Sequence, residues 1–201
     1  MSRYDFLVET YRTERLKTLG VWLQIPAARL DWRPEARARS PLEHMVHQCM
    51  SEDTWMRTML GITSDRRALR PWRIATRFEH YAACSADRLA ALERQNDAWF
   101  EEQTQFFDVR RTRAWVLTRR ITHTAHHRGQ LPPYIRLWGL PLYSTYGPTA
   151  DTGGLPKHGA RVVYRNVSGD DLPREQVDVP GPPLPGPGEQ PVTERPRIPP
   201  G

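Results

Sequence analysis

His123 and His127 are the residues whose type and spacing point most directly to chemistry. They lie in the run Thr122–Leu131, THTAHHRGQL, which also contains His126. Residues four apart on a helix sit one turn above each other on one face. Two imidazoles placed that way can bind one divalent metal ion from a single helix. Carrying the helical register outward puts Val116, His127, Gln130, Leu131, Tyr134 and Trp138 on the same side as His123. The pair is therefore expected to face the inside of a helical packing. His126 falls about 60° away on the edge of the stripe and is a poorer partner, though spacing does not exclude it. The bland reading is a pair of neutral, hydrogen-bonded core histidines. The residue after His123 is Thr124, where a HExxH metalloprotease needs its glutamate base, so that chemistry is excluded.

The helices that must position this pair can be traced along the chain. Residues 3–25 read as a first helix, with Tyr4, Leu7, Val8, Tyr11, Leu19 and Trp22 in one stripe and Pro26 beyond it. A second begins at an S-x-x-E capping box, with Ser40 as N-cap, Pro41 at the first turn and Glu43 closing the box. Its stripe is Leu42, Met45, Val46, Cys49, Met56 and Leu60, with Asp53 inside it and Gly61 as the stop. A linker containing Pro71 then leads to a third helix over about residues 75–101. Its seam is Phe78, Tyr81, Ala82, Ser85, Leu89, Leu92, Asn96 and Trp99. A fourth helix is expected from about 110 through the histidines to about 138. Pro132 and Pro133 should kink it, or end it early and restart it.

The expected architecture is all-α. A four-helix bundle with a long crossover connection occupies residues 1–140, and a mostly irregular extension follows over 141–171. RVVY, Arg161–Tyr164, reads as one short strand. From Leu172 the composition changes: ten of the last 30 residues are proline and none is aromatic. Such a segment buries too little apolar surface to offset its ordering entropy, so 172–201 reads as disordered.

Composition narrows the function classes. The formal net charge is +6, and Lys17 and Lys157 are the only lysines, so the excess is arginine. No aromatic-plus-basic motif accompanies it. The charge reads as a solvated surface rather than a nucleic-acid face. The two cysteines, Cys49 and Cys84, lie in helical patterns and form no disulfide framework, which fits a reducing cytoplasm. No apolar run approaches the roughly 20 residues of a membrane span, and the charged start MSRYDFLVETYR is not a signal peptide.

Two histidines make a weak site, so a third ligand is sought on another helix. His44 lies about 200° from Leu42, and His80 about as far from Phe78, so both read as solvent-exposed. His158 falls in irregular sequence and cannot be placed. His47 lies on the flank of the second helix, about 140° from Leu42, and periodicity leaves it open.

Ser40–His47, SPLEHMVH, followed much later by HTAHHRGQ, resembles the DinB family of metalloenzyme-like proteins. The resemblance rests on a helix-start serine, a histidine seven residues on and a late H-x-x-x-H-R-G-Q. The tryptophan–proline loop at Trp32 also suits it, and it covers roughly residues 1–150. Two departures stand out: Pro132 and Pro133 follow unusually soon after HRGQ, and the chain beyond 150 is longer than a minimal member needs.

The resemblance implies a three-histidine metal site from His47, His123 and His127. Zn²⁺, Ni²⁺ and Fe²⁺ all accept imidazoles. It also implies activation of a low-molecular-weight thiol, such as bacillithiol or mycothiol, or of water, for transfer to or hydrolysis of a small electrophile. A homodimer is a further expectation, and a non-catalytic metal- or ligand-binding bundle is the alternative. Glu43 and Asp53 are the nearest acidic groups on the second helix; each reads more readily as a capping or supporting residue than as a base. Arg128 and Gln130 belong to the motif, with Arg128 read as a hydrogen-bond anchor.

Overall fold

The expected capping box starts the helix on which the site depends. Ser40 Oγ accepts from the Glu43 backbone N–H (3.3 Å), and the Glu43 carboxylate accepts from the Ser40 N–H (2.9 Å). The computed structural model describes residues 2–64, 74–165 and 180–189. Its elements are α1 (Asp5–Trp22), α2 (Pro41–Met59), α3 (Ile74–Leu92), α4 (Asp97–Glu101), β1 (Gln103–Phe106), β2 (Val109–Thr112), α5 (Arg113–Gly129) and α6 (Leu131–Leu137). Gly61, with φ +69°, lies just past the end of α2, in the left-handed region where a side chain would be strained.

Four of these helices form the bundle. α1 and α2 each pack against both α3 and α5, which places α1 and α2 on one diagonal. The two apolar clusters give the directions. One joins Leu7 and Val8 of α1 to Met56 and Met59 of α2, Leu89 and Leu92 of α3, and Val116, Leu117 and Ile121 of α5. The other joins Leu19 and Trp22 to Met45, Cys49, Phe78, Tyr81 and Leu131. The start of α1 thus lies with the end of α2, the end of α3 and the start of α5. α1 and α5 run one way and α2 and α3 the other. Since α2 and α3 are parallel neighbours, the chain must return the length of a 19-residue helix between them, about 28 Å. This is the long crossover expected of the bundle. Most of that connection, including Pro71, lies outside the described residues.

Two boundaries differ from expectation and a third follows it. The third helix stops at Leu92 instead of continuing to 101, because Asn96 caps a new short helix: its side chain accepts from the Trp99 N–H (3.0 Å). The chain then forms a β-hairpin rather than the start of a helix. β1 and β2 pair antiparallel with Gln103 opposite Thr112 and Phe106 opposite Val109, around Phe107 and Asp108. Thr104 Oγ1 ties the hairpin to the end of α2 through the Met59 carbonyl (2.6 Å). Thr112 then caps α5 by accepting from the Trp115 N–H (3.2 Å). Pro132 and Pro133 do produce an early end and a restart, at Gln130, because proline is tolerated in a first turn but not in a helix interior.

Arg161–Tyr164 forms no strand: Tyr164 makes a single bridge to Ser144. The disorder expected from Leu172 does not extend to residues 180–189. That segment lies along the extension, with Gly186 bridging Thr152 and Tyr143 donating to the Pro182 carbonyl (2.8 Å). The rest of 172–201 lies outside the described residues. No helix among the described residues is long and apolar enough to cross a membrane.

The interior of the bundle is unusually charged. Arg15, Arg77, Arg88, Arg120 and Arg128 are all buried, as are Glu14 and Glu52. Buried charge is costly unless paired and hydrogen-bonded. Accordingly Arg120 donates to Gln48 Oε1 (3.0 Å), Ser51 Oγ (2.8 Å) and Thr124 Oγ1 (3.0 Å). Arg15 donates to Ser85 Oγ (2.9 Å) and the Ala82 carbonyl (3.2 Å).

Candidate metal centre

α2 and α5 are antiparallel neighbours, so the early turns of one meet the late turns of the other. That brings His47 against His123 and His127. Ring centroids are 5.4 Å apart for His47–His123, 4.5 Å for His47–His127 and 4.6 Å for His123–His127. One ring nitrogen from each lies within 4.8 Å of the others. Nitrogens that close can converge on one ion, at the usual ligand distance of about 2.0–2.1 Å, by rotation of their side chains.

The chemistry of the donors fits an ion. Burial, followed by the charge of Arg120, pushes His123 down to about 3. Burial pushes His127 down to about 4, with His47 and Arg39 adding to the effect and the Gln130 hydrogen bond opposing it. His47 is lowered by burial, then by Arg39 and Arg120. All three rings are therefore neutral near pH 7, as metal ligation requires. His123 Nδ1 is buried with no hydrogen-bond partner. Such an atom is an anomaly in a folded interior and is relieved by a ligand. His127 Nδ1 lies 3.2 Å from Gln130 Oε1. Gln130 Nε2 faces His126 Nε2 at 3.4 Å, which orients the amide so that its oxygen accepts from His127. The Nε2 lone pair of His127 is left free for the centre.

His47 also lines a shallow groove of about 620 Å³ on the outer side of α2. Leu42, Val46, Met50 and Trp55 make it largely apolar, with Arg39 and Glu43 at its edge. The Trp55 ring lies 5.4 Å from His123 and 5.2 Å from the Arg120 guanidinium carbon. Glu43 is committed elsewhere, since Arg33 holds both its oxygens at 2.5 Å. Asp53 is on another face of α2, held by Arg88 and by His80 (3.0 Å). Neither carboxylate is available as a base at the three histidines.

The DinB family profile matches residues 1–154. The chain belongs to the DinB family. The DinB fold is also found in two crystal structures of DinB-like proteins. That from Bacillus subtilis is 18% identical, with a TM-score of 0.56 over 69% of this chain and 97% of the other. That from Bacillus cereus is 20% identical, with a TM-score of 0.59 over 68% of this chain and 92% of the other. At these identities the likeness establishes the fold. No curated protein matches the chain.

Other residues of this DinB protein sit differently from their sequence-based placement. His44 is buried rather than exposed, its ring 5.7 Å from His127 and 6.1 Å from Tyr134. The inward face of α2 is centred on Gln48 and Glu52, not Leu42, because it meets buried arginines; an apolar stripe does not register that face. His80 is buried as well, covered by Asp53 of α2 and by Cys84 one turn along α3. His126 and His158 are exposed. Arg120 was not singled out by spacing; its position three residues before His123 on the same helix was the available signal. Arg128 is the anchor expected, donating to the Glu14 carbonyl (3.1 Å), the Glu14 carboxylate (2.5 Å) and Thr18 Oγ1 (3.3 Å).

Proposed function

We propose that His47, His123 and His127 hold one divalent metal ion, and that this DinB protein is an enzyme joining a small thiol to an electrophilic substrate. The observation that carries this reading is the approach of three neutral imidazoles beside an open apolar groove. An ion held by three protein ligands keeps a coordination position for an incoming group and supplies Lewis acidity that lowers the pKa of an oxygen or sulfur donor. The side chains of this chain do the rest. Gln130 orients His127. Arg120, fixed by Gln48, Ser51 and Thr124, keeps positive charge beside His123 and disfavours its protonation. Leu42, Val46, Met50 and Trp55 exclude water from an apolar substrate portion, and Arg39 offers a cation to a carboxylate-bearing thiol.

The lack of a free carboxylate near the three histidines favours a thiol over water among the described residues. A thiol, with a pKa near 8.5, gives up its proton far more readily than water and has less need of a protein base. The same absence also supports a second reading, a bundle that binds metal without catalysis.

Metal content of the purified protein tests the site. Stoichiometric metal is expected in the wild type, with loss in His47→Ala, His123→Ala and His127→Ala. Undiminished metal in both α5 variants would end the proposal. Turnover of small thiols with electrophilic acceptors by the metal-loaded protein separates the readings, and inactivity with tightly held metal favours the second.

A further inference from the structure

A second trio of donors lies elsewhere on α2. Asp53 follows His47 by six residues, about 240° around the helix, and so faces α3 instead of α5. His80 and Cys84 are one turn apart on α3. His80 Nε2 is 3.0 Å from Asp53 Oδ2, and Cys84 Sγ is 3.7 Å and 3.6 Å from the two ring nitrogens of His80. One oxygen, one nitrogen and one sulfur from the three residues lie within 4.8 Å of one another. Together with Ile62, Thr63 and Ser64 they line a cavity of about 260 Å³. The Ser64 hydroxyl is 3.6 Å from the sulfur.

We propose that Asp53, His80 and Cys84 form a second metal site, for a thiolate-accepting divalent ion of the zinc class. The donor set is one such ions prefer: a thiolate, an imidazole and a carboxylate, with a fourth position open to the cavity. The charges match. A thiolate and a carboxylate balance an ion of charge +2; Arg88 is shared between Glu52 (3.3 Å) and Asp53 Oδ1, which leaves Asp53 Oδ2, the oxygen beside His80, for the ion. Binding releases to solvent the Cys84 proton and a second from the His80 imidazolium that Asp53 stabilises, and sulfur, nitrogen and oxygen then each offer a lone pair. The ion would tie α2 to α3 beside Ile62, Thr63 and Ser64, the first residues of the crossover. The competing reading is a His80–Asp53 hydrogen bond beside an inert core thiol.

Cobalt(II) decides between them, because only a sulfur ligand gives a thiolate-to-cobalt charge-transfer band in the near ultraviolet. The full-length His47→Ala/His123→Ala/His127→Ala variant, reduced and metal-free, is titrated with cobalt(II). Binding of about one equivalent with that band is expected, as for a single N/S/O site. Cys84→Ser in the same background should abolish the band, and Cys49→Ser should leave it. No binding, or binding without the band, overturns the proposal. Should the multiple variants fail to fold, the wild type decides equally, because the three-histidine cluster contains no sulfur. X-ray absorption of the zinc-loaded wild type should then show a sulfur neighbour at about 2.3 Å, and a shell of nitrogen and oxygen alone overturns the proposal. Two equivalents in the wild type and one, with the band, in the triple variant uphold both sites; a single equivalent with the band in both proteins sinks the three-histidine reading and leaves this one standing.

Discussion

Glu52 is fully buried among charged and polar neighbours. Its carboxylate accepts from Tyr11 Oη (2.7 Å) and from Arg88 (3.3 Å), with Arg120 at 3.9 Å. Removing one member of a buried ionic group strands the others in a medium of low dielectric, at a cost of about 3–5 kcal/mol. Glu52→Ala should lower the unfolding free energy by that amount in urea denaturation, more than deletion of an exposed carboxylate such as Glu35. A loss under about 1 kcal/mol would show that Arg88 and Arg120 reach water instead. These polar residues are also where sequence reading went astray. The pair His123 and His127 stood out because both lie on an apolar stripe. His44 and His80 were placed outside because the stripes of α2 and α3 were judged by apolar residues alone. Gln48, Glu52, Arg77 and Arg88 turn inward as well, and no hydrophobic pattern reports a face that is buried because it is paired.

At the level of single elements, local chemistry was the more legible part. The start of α2 was readable from Ser40, Pro41 and Glu43, because a capping box is specified within four residues. Its weight can be measured. Ser40→Ala should cost about 1 kcal/mol of stability, seen as a shifted denaturation midpoint with unchanged slope. His44 and His47 lie in the first two turns, so fraying there would reach the three-histidine cluster. The break between α3 and α4 and the hairpin β1–β2 were less legible. Asn96 and Thr112 are good caps, but each follows residues that continue a helical or alternating pattern, and the competition is settled by packing. Thr104 on the Met59 carbonyl and the edge-to-face contacts of Phe106 with Trp55 and Trp115, at 5.2 Å and 4.9 Å, hold the hairpin.

Across the whole molecule, one contact joins three parts of the chain. Glu14 of α1, Arg128 of α5 and Tyr146 of the extension meet: Tyr146 Oη donates to the Glu14 carboxylate (2.6 Å) while Arg128 donates to both. Burial alone would raise the Glu14 carboxyl. Hydrogen bonds from Tyr146, Arg128 and Lys17, with the charge of Arg128, more than reverse this and leave it below its ordinary 4.5. A carboxylate held low stabilises the fold fully above its unfolded value and loses that contribution as pH falls through the folded one. Stability should therefore decline on acidification below pH 4.5, and decline less steeply in Glu14→Gln. Parallel acid profiles for the two proteins would remove Glu14 from the account. The overall bundle and its crossover were readable from four amphipathic stripes and the family motif. The docking of residues 180–189 was not, because it rests on backbone bridges that composition does not reveal. The three histidines are also separated in birth order: His127 follows His47 by 80 positions. At about 5–20 residues per second, a ribosome makes His47 roughly 4–16 s before the last imidazole. An ion proposed for the three histidines would have to wait for α5, and until Arg120 arrives a growing chain holds Gln48 and Glu52 without that partner.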